Sequence, residues 1–92
     1  MNIPVKVAPR SAMTAEAVQL DPDNLEMVAC WCRGNIKGRK LPRERRVIDF
    51  LDHNQEEQRV YCGHYVVREP TGVLIVFRDE GAFRAAYQQT GP

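Results

Sequence analysis

The sequence lacks any apolar run that approaches the roughly 18 residues needed for a membrane-spanning helix. Its first residues, 1–6, also lack the order of charged and then apolar residues that marks a signal peptide. We therefore expect a protein without membrane contact that stays in the cytoplasm of the cell that makes it.

Cysteine is scarce, and its number is odd: Cys30, Cys32 and Cys62 are the three in the chain. An odd number argues against a closed disulfide framework and fits a reducing compartment. Free thiols are the expectation.

Net charge is nearly absent, at +1 from 13 cations and 12 carboxylates, so no long-range field draws the protein to nucleic acid or membranes. The hydrophobic share of 43% and the charged share of 27% are those of an ordinary globular protein. At 92 residues the chain has the size of one domain with a modest core, and we take residues 1–92 as that domain.

Two strands are predicted before residue 21. Residues 1–13 form an edge strand or an ordered arm, because Pro4 and Pro9 cannot donate to a sheet ladder. Residues 14–20 show an alternation that indicates a short strand.

A helix is predicted next. Asp21 is the candidate N-cap, Pro22 suits the first helical position, and Gly34 provides the stop. Four apolar residues between them have the spacing of one buried stripe: Leu25, Val28, Ala29 and Cys32.

The second half predicts mainly antiparallel strands. Residues 46–51 and 58–61 indicate a hairpin, with 52–57 as its connection. The segment 61–68, a type I turn at 69–72 and the apolar run 73–77 indicate a second hairpin that forms the sheet core. Because 73–77 is apolar throughout, we expect it to be a central strand covered on both faces.

The C-terminal stretch predicts a second helix from Asp79 to Gln89, since acidic residues begin it and Phe83, Ala86 and Tyr87 share one face. Residues 35–46, which carry Gly38 and Pro42, indicate a loop or a loose strand and turn. The predicted fold class is therefore α+β, with a small curved antiparallel sheet of four to five strands and two helices.

Five short motifs follow one another along the chain, at residues 16–19, 24–29, 31–34, 63–68 and 83–87. Their order resembles that of a family of small, uncharacterised phage and prophage proteins. That family has an Ala-Val-Gln strand, a helix ending in Trp-Cys-x-Gly, a Gly-Asp-Tyr-Val-Val-Arg-like segment and a C-terminal Phe-x-x-x-Tyr helix.

The resemblance implies a phage accessory protein and supplies no catalytic residue. It also contains a departure, because this chain has Cys62-Gly63-His64 where the family has Pro-Gly-Asp. A turn contact made by that Asp would be lost unless His64 reproduces it.

A basic segment, residues 33–46, holds more than half of the cations and is the predicted binding surface. Trp31, the single tryptophan, precedes it and either caps the core edge or anchors a partner. The cations of the segment are Arg33, Lys37, Arg39, Lys40, Arg43, Arg45 and Arg46. Basic residues contact phosphates and also attract acidic proteins, whereas a solvated loop offset by nearby acids is the plainer interpretation.

Metal or cysteine chemistry is not expected. Cys30 and Cys32 with Cys62 and His64 offer four zinc-type ligands, but residues i and i+2 of a helix point in different directions. A catalytic cysteine would need His53 or His64 beside an accessible thiol, and no motif requires that. We predict no catalytic residue, no metal and no cofactor.

The sequence thus predicts a non-enzymatic phage accessory protein of the host cytoplasm that binds a host or phage protein. A nucleic-acid-binding module that uses residues 33–46 is the alternative, and a virion component is a third interpretation.

Overall fold

In the computed structural model, which describes residues 2–9 and 15–89, eight strands and two helices form an α+β domain. No helix in those two ranges is both long and apolar enough to cross a membrane. The strands are β1 (Val5–Pro9), β2 (Ala15–Gln19), β3 (Asn35–Lys37), β4 (Val47–Leu51), β5 (Glu57–Tyr61), β6 (Tyr65–Arg68), β7 (Leu74–Phe77) and β8 (Tyr87–Gln89). The helices are α1 (Leu25–Cys32) and α2 (Glu80–Ala86).

The strands divide into two antiparallel sheets where the sequence predicted one. The first sheet has the order β7-β6-β2-β1-β8 and the second has the order β3-β4-β5. The predicted α+β class is confirmed, and so is the hairpin of residues 46–61, which is the β4–β5 pair of the second sheet.

Strands β2 and β6 lie at the centre of the first sheet and are covered on both faces. Val18 pairs with Val66 on one face, and Ala17 pairs with Val67 on the other. All four side chains are at most 2% exposed. Val18 and Val66 belong to a core shared with α1 and the second sheet, whereas Ala17 and Val67 belong to a core with Phe83 of α2.

The prediction that residues 73–77 form the central strand is wrong. The hairpin with β6 exists, and Gly72 closes its turn by donating to the carbonyl of Glu69 at 2.8 Å. However, β7 is an edge strand, and each of its side chains is only half-buried. An apolar run does not distinguish an edge strand from a doubly covered one, because burial depends on neighbours that lie far away in the sequence.

The two chain ends also differ from the prediction. β1 lies between β2 and β8, so it is not an edge strand. Residues 1 and 10–13 of the predicted arm and residue 14 of the predicted second strand lie outside the described residues. The second helix ends at Ala86, after which β8 turns back to pair with β1. Tyr87 packs against Phe83 although it is extended and not helical. The spacing of the two side chains in the sequence therefore did not distinguish a helix that continues through Tyr87 from a strand that begins there.

The predicted stripe of α1 is confirmed, but the helix begins at Leu25 and not after Asp21. The Asp21 carboxylate accepts from the amides of Asp23 and Asn24 at 2.8 and 2.9 Å and so forms a turn before the helix. The fully buried Asn24 returns a bond from its Oδ1 to the Asp21 amide and donates to the carbonyls of Asn2 and Gln19. This one side chain fixes the helix start to β2 and to the N-terminal segment.

The end of α1 depends on Gly34 for a reason other than the one predicted. Arg33 takes the left-handed conformation, with φ 57°, and the Gly34 amide donates to the carbonyl of Ala29. A Cβ at residue 34 would lie 2.7 Å from the backbone carbonyl oxygen of Asp49 and 2.7 Å from Ile48 Cγ2. Glycine is needed here because α1 and β4 approach closely.

The two sheets are joined where the chain passes from β5 to β6. The Leu20 amide donates to the His64 carbonyl, and the Gly63 amide donates to the Leu20 carbonyl. His64 Nδ1 accepts from the Tyr61 amide at 3.2 Å, so His64 supplies a hydrogen bond within this turn.

We predict that Gly34→Ala lowers the free energy of unfolding by about 1–3 kcal/mol, because β4 must shift to accommodate the methyl group. Urea denaturation measures the loss. The control is Cys30→Ala, an exposed position on α1 that is expected to change stability by less than about 0.5 kcal/mol. Equal stability of the two variants would contradict the close approach.

Candidate functional site

A groove of about 810 Å³ is lined by both sheets and by the end of α1. Its lining comes from the end of α1, from β3, β4, the β4–β5 turn and the start of β5, and from the β6–β7 hairpin. The groove is therefore built by segments that are far apart in sequence.

Trp31 and Arg68 form a fixed pair in this groove. The Arg68 guanidinium carbon lies 4.4 Å from the centroid of the indole ring, which is cation–π geometry. Arg68 also donates to the Trp31 carbonyl at 3.3 Å and to Glu16 at 2.9 Å. Because Trp31 is half-buried against the core, both planes are held in place before a ligand arrives.

Two cations of the groove are available to a ligand. Arg33 and Lys37 are exposed, and neither forms an ion pair within the described ranges. The backbone of Arg33 has the left-handed conformation that ends α1, and Lys37 lies on the exposed face of β3. Both belong to the binding surface that the sequence predicted.

Two of the three carboxylates that line the groove, Asp49 and Asp52, are engaged by the protein itself. Arg59 binds Asp49 through two hydrogen bonds of 2.7 and 2.9 Å and holds the pKa of that carboxyl below its ordinary value. Asp52 accepts from the amides of Glu56 and Asn54 and from the side chain of Gln58, and these bonds lower its pKa. Asp52 thereby holds the β4–β5 turn in shape at the end of the groove.

The remaining cations of the basic segment do not line the groove. Arg43 donates to the Pro22 carbonyl at 2.7 Å and to Glu26 at 2.6 Å, and Arg46 donates to the Leu41 carbonyl at 3.0 Å. These two residues fasten the connection between β3 and β4. Three exposed cations remain in that connection: Arg39, Lys40 and Arg45.

Sequence reasoning missed the contribution of Arg68. Its signal was weak, because an arginine at the end of a strand is commonly a solvated residue. Arg68 shares a face with Val66, two residues earlier, and that face carries α1. The role of Arg68 becomes visible only when the position of α1 is known.

The thiols and histidines do not form a reactive cluster. Cys32 is buried and Cys62 is partly buried, and burial raises the pKa of both thiols, so neither favours the thiolate. Burial and the nearby Arg78 lower the pKa of His64, whose Nδ1 already accepts a hydrogen bond. Across residues 2–9 and 15–89, no group of three His, Cys, Asp or Glu side chains could hold a metal ion.

No protein-family model matches this sequence, and neither a curated protein nor a solved structure gives a match. The resemblance to small phage and prophage proteins therefore stays a prediction.

We predict that the three thiols react with a thiol reagent such as Ellman's reagent at different rates in the native protein. Cys30 should react first because it is exposed, and Cys32 last because it is buried. Single Cys→Ser variants assign each phase, and full denaturation should make the three rates similar. If Cys62 reacts fastest, an activated thiol is present and the case against cysteine chemistry fails.

The lowered pKa values of Asp49 and Asp52 predict a loss of stability in acid. A depressed pKa in the folded state stabilises the fold above the ordinary value of 3.8, and this stabilisation disappears as the pH falls through the lower folded pKa. The urea concentration at which half of the protein is unfolded should therefore decrease as the pH is lowered below about 4. An Asp49→Asn/Asp52→Asn variant should show a smaller fall than the exposed control Asp23→Asn, and identical pH profiles would contradict this assignment.

Proposed function

We propose that this domain is a non-enzymatic binding module that holds an acidic segment of a protein in the groove between its two sheets. The observation that carries the proposal is the arrangement of Arg33 and Lys37, both exposed, beside the fixed Trp31–Arg68 pair. Tryptophan and arginine are enriched in protein interfaces and among the residues that contribute most to binding, and here they lie within one concave surface.

Charge favours an acidic partner segment at one side of the groove. Neither Arg33 nor Lys37 forms an ion pair among the described residues, and Lys37 acts on Asp49 only at longer range, so a carboxylate from a ligand would gain two charge-assisted contacts. The exposed Leu51 and the half-buried Leu74 suit a segment that also carries apolar side chains.

The same groove is less suited to nucleic acid. Asp49, Asp52 and Glu57 line it, and a phosphate backbone, which carries a negative charge at every nucleotide, meets these carboxylates at more points than a peptide whose one or two acidic residues lie beside Arg33 and Lys37. One face of Trp31 is already occupied by Arg68, which leaves less of the ring for a base to stack on. The exposed cations at 39, 40 and 45 lie outside the groove and are the surface on which the nucleic-acid alternative depends.

The partner, following the resemblance of the sequence, is a host or phage protein, and the site of action is the host cytoplasm. Neither a catalytic residue nor a cofactor is part of the proposal. The groove acts by holding a segment in place.

The test uses a random peptide library displayed on yeast and selected with the immobilised domain. We expect enrichment of peptides that combine Asp or Glu with apolar residues, and we expect binding to quench or shift the fluorescence of Trp31. Enrichment of basic peptides, or no enrichment, would contradict the proposal.

Selected peptides then distinguish the two basic surfaces through variants of equal charge change. Arg33→Glu/Lys37→Glu should weaken peptide binding at least about tenfold, which corresponds to about 1.4 kcal/mol. The matched control Arg39→Glu/Lys40→Glu should change it by less than about threefold. Fluorescence anisotropy provides both numbers.

The nucleic-acid alternative has its own outcome. A gel-shift assay with single-stranded and duplex DNA at low and moderate salt would show salt-sensitive binding that the Arg39→Glu/Lys40→Glu variant abolishes. That result without peptide binding would replace the proposed function with the alternative.

A further inference from the structure

The outer edge of β7 differs in chemistry from the other three sheet edges. β3 carries Lys37 and has three residues, β5 carries Glu57 and Arg59, and β8 has three residues that include two glutamines. Charged residues and short length protect an edge from pairing with another chain. β7 reads Leu-Ile-Val-Phe and has neither charge nor proline.

Two sets of contacts fix which backbone groups of β7 face outward. The Glu69 amide donates to the Val73 carbonyl at 2.9 Å, so residues 69 and 73 form a hydrogen-bonded pair. Hydrogen-bonded and non-bonded pairs alternate along an antiparallel ladder. The register that pairs Val67 with Ile75 therefore directs the backbone N–H and C=O of Ile75 toward β6. The same groups of Leu74 and Val76 point away from β6.

The other side of β6 agrees with this assignment. The Leu20 amide donates to the His64 carbonyl, which makes the next hydrogen-bonded pair along the β2–β6 ladder Val18 with Val66. The backbone of Val66 thus faces β2, and that of Val67 faces β7. Among the described residues, no hydrogen bond outside the ladders engages the backbone of Leu74 or Val76.

We propose that β7 pairs with β7 of a second copy of this chain, antiparallel about a two-fold axis at Ile75. In this register Leu74 of each copy exchanges two backbone hydrogen bonds with Val76 of the other. The two Ile75 side chains meet at the axis. The pairing is closed, because each copy uses the same edge.

A second copy of the chain provides an apolar strand that matches the outer edge of β7. Every side chain from Leu74 to Phe77 is half-buried, so a pairing strand must be apolar on both of its faces. β7 is itself such a strand. Since opposite residues of paired strands share a face, Leu74 meets Val76 of the second copy on the α1 face, where both already pack against the core.

The pairing also brings a new charge to the groove. Gly72 and Leu74 line one wall of it, and the register brings Arg78 of the second copy to the level of Gly72, on the same face. An acidic ligand would then meet Arg78 in addition to Arg33 and Lys37. This last step rests on the proposed function, whereas the dimer does not.

Sedimentation velocity over a wide range of protein concentration tests the dimer without any ligand. We expect a reversible change from a species of 10.5 kDa to one of twice that mass. A protein that stays monomeric at the highest concentrations overturns the proposal.

Charge substitutions at Ile75 test the position of the axis. Ile75 packs with neither core among the described residues, so Ile75→Lys and Ile75→Glu should each fold, which circular dichroism and thermal melting check. Each variant alone places like charges opposite each other and should weaken the dimer at least about tenfold. Mixed in equal amounts, the two variants should recover dimerisation, because Lys then faces Glu.

The matched control is Leu41→Lys, which introduces the same charge at an exposed apolar side chain outside β7 and should leave the dimer unchanged. A dimer that survives Ile75→Lys, or a mixture that shows no recovery, overturns the pairing at β7. If the dimer behaves as expected but Arg78→Glu leaves the affinity for a groove-binding peptide unchanged, only the contribution of Arg78 fails.

Discussion

The pairing of β2 with β6 is the constraint on which the rest of the structure depends. These two strands separate two hydrophobic cores, and each contributes a buried side chain to both, through neighbours such as Val66 and Val67. One face holds α1 and the second sheet, and the other holds α2. Loss of this pairing would expose both cores together, so we regard the domain as one cooperative unit.

The groove is a consequence of how the second sheet is attached. Leu20, at the end of β2, is hydrogen-bonded to Gly63 and His64, where the chain leaves the second sheet for the first. α1 packs between β2 and β4, and Gly34 lets its end approach β4 closely. The two sheets therefore diverge from a fixed junction, and the space between them becomes the groove in which Trp31 and Arg68 lie.

Several arginines bind other groups of the protein, although the clustering of positive charge suggested a surface that is available to ligands. Arg43 and Arg46 fasten a connection, Arg59 is held by Asp49, and Arg68 is stacked on Trp31. The charge that is available to a ligand comes from fewer residues than the basic segment contains. The positive charge available to a ligand is therefore set by which cations lack a partner and less by how many lie together in the sequence.

Local patterns in the sequence were sufficient to predict the buried stripe of α1, the two hairpins and the α+β class. They could not predict that β7 lies at an edge or that β1 lies inside the sheet, because strand order is set by pairing between distant segments. They also could not separate a helix from a strand at Tyr87, since that side chain reaches Phe83 in both.

The site was predicted only in part for the same reason. Trp31, Arg33 and Lys37 were expected at a binding surface and do line the groove. Arg68 and Asp52 reach it from elements that are remote in the sequence, and no local pattern marks such an approach.

Amide hydrogen exchange in dilute solution tests the account most directly, because it measures the sheet order residue by residue. The amides of Val18 and Val66 should exchange slowest, close to the rate set by global unfolding, while those of Leu74 and Val76 should exchange much faster than that of Ile75 between them. Equal protection of Leu74, Ile75 and Val76, or faster exchange at Val66 than at Ile75, would contradict a sheet in which β2 and β6 lie inside and β7 lies at the edge.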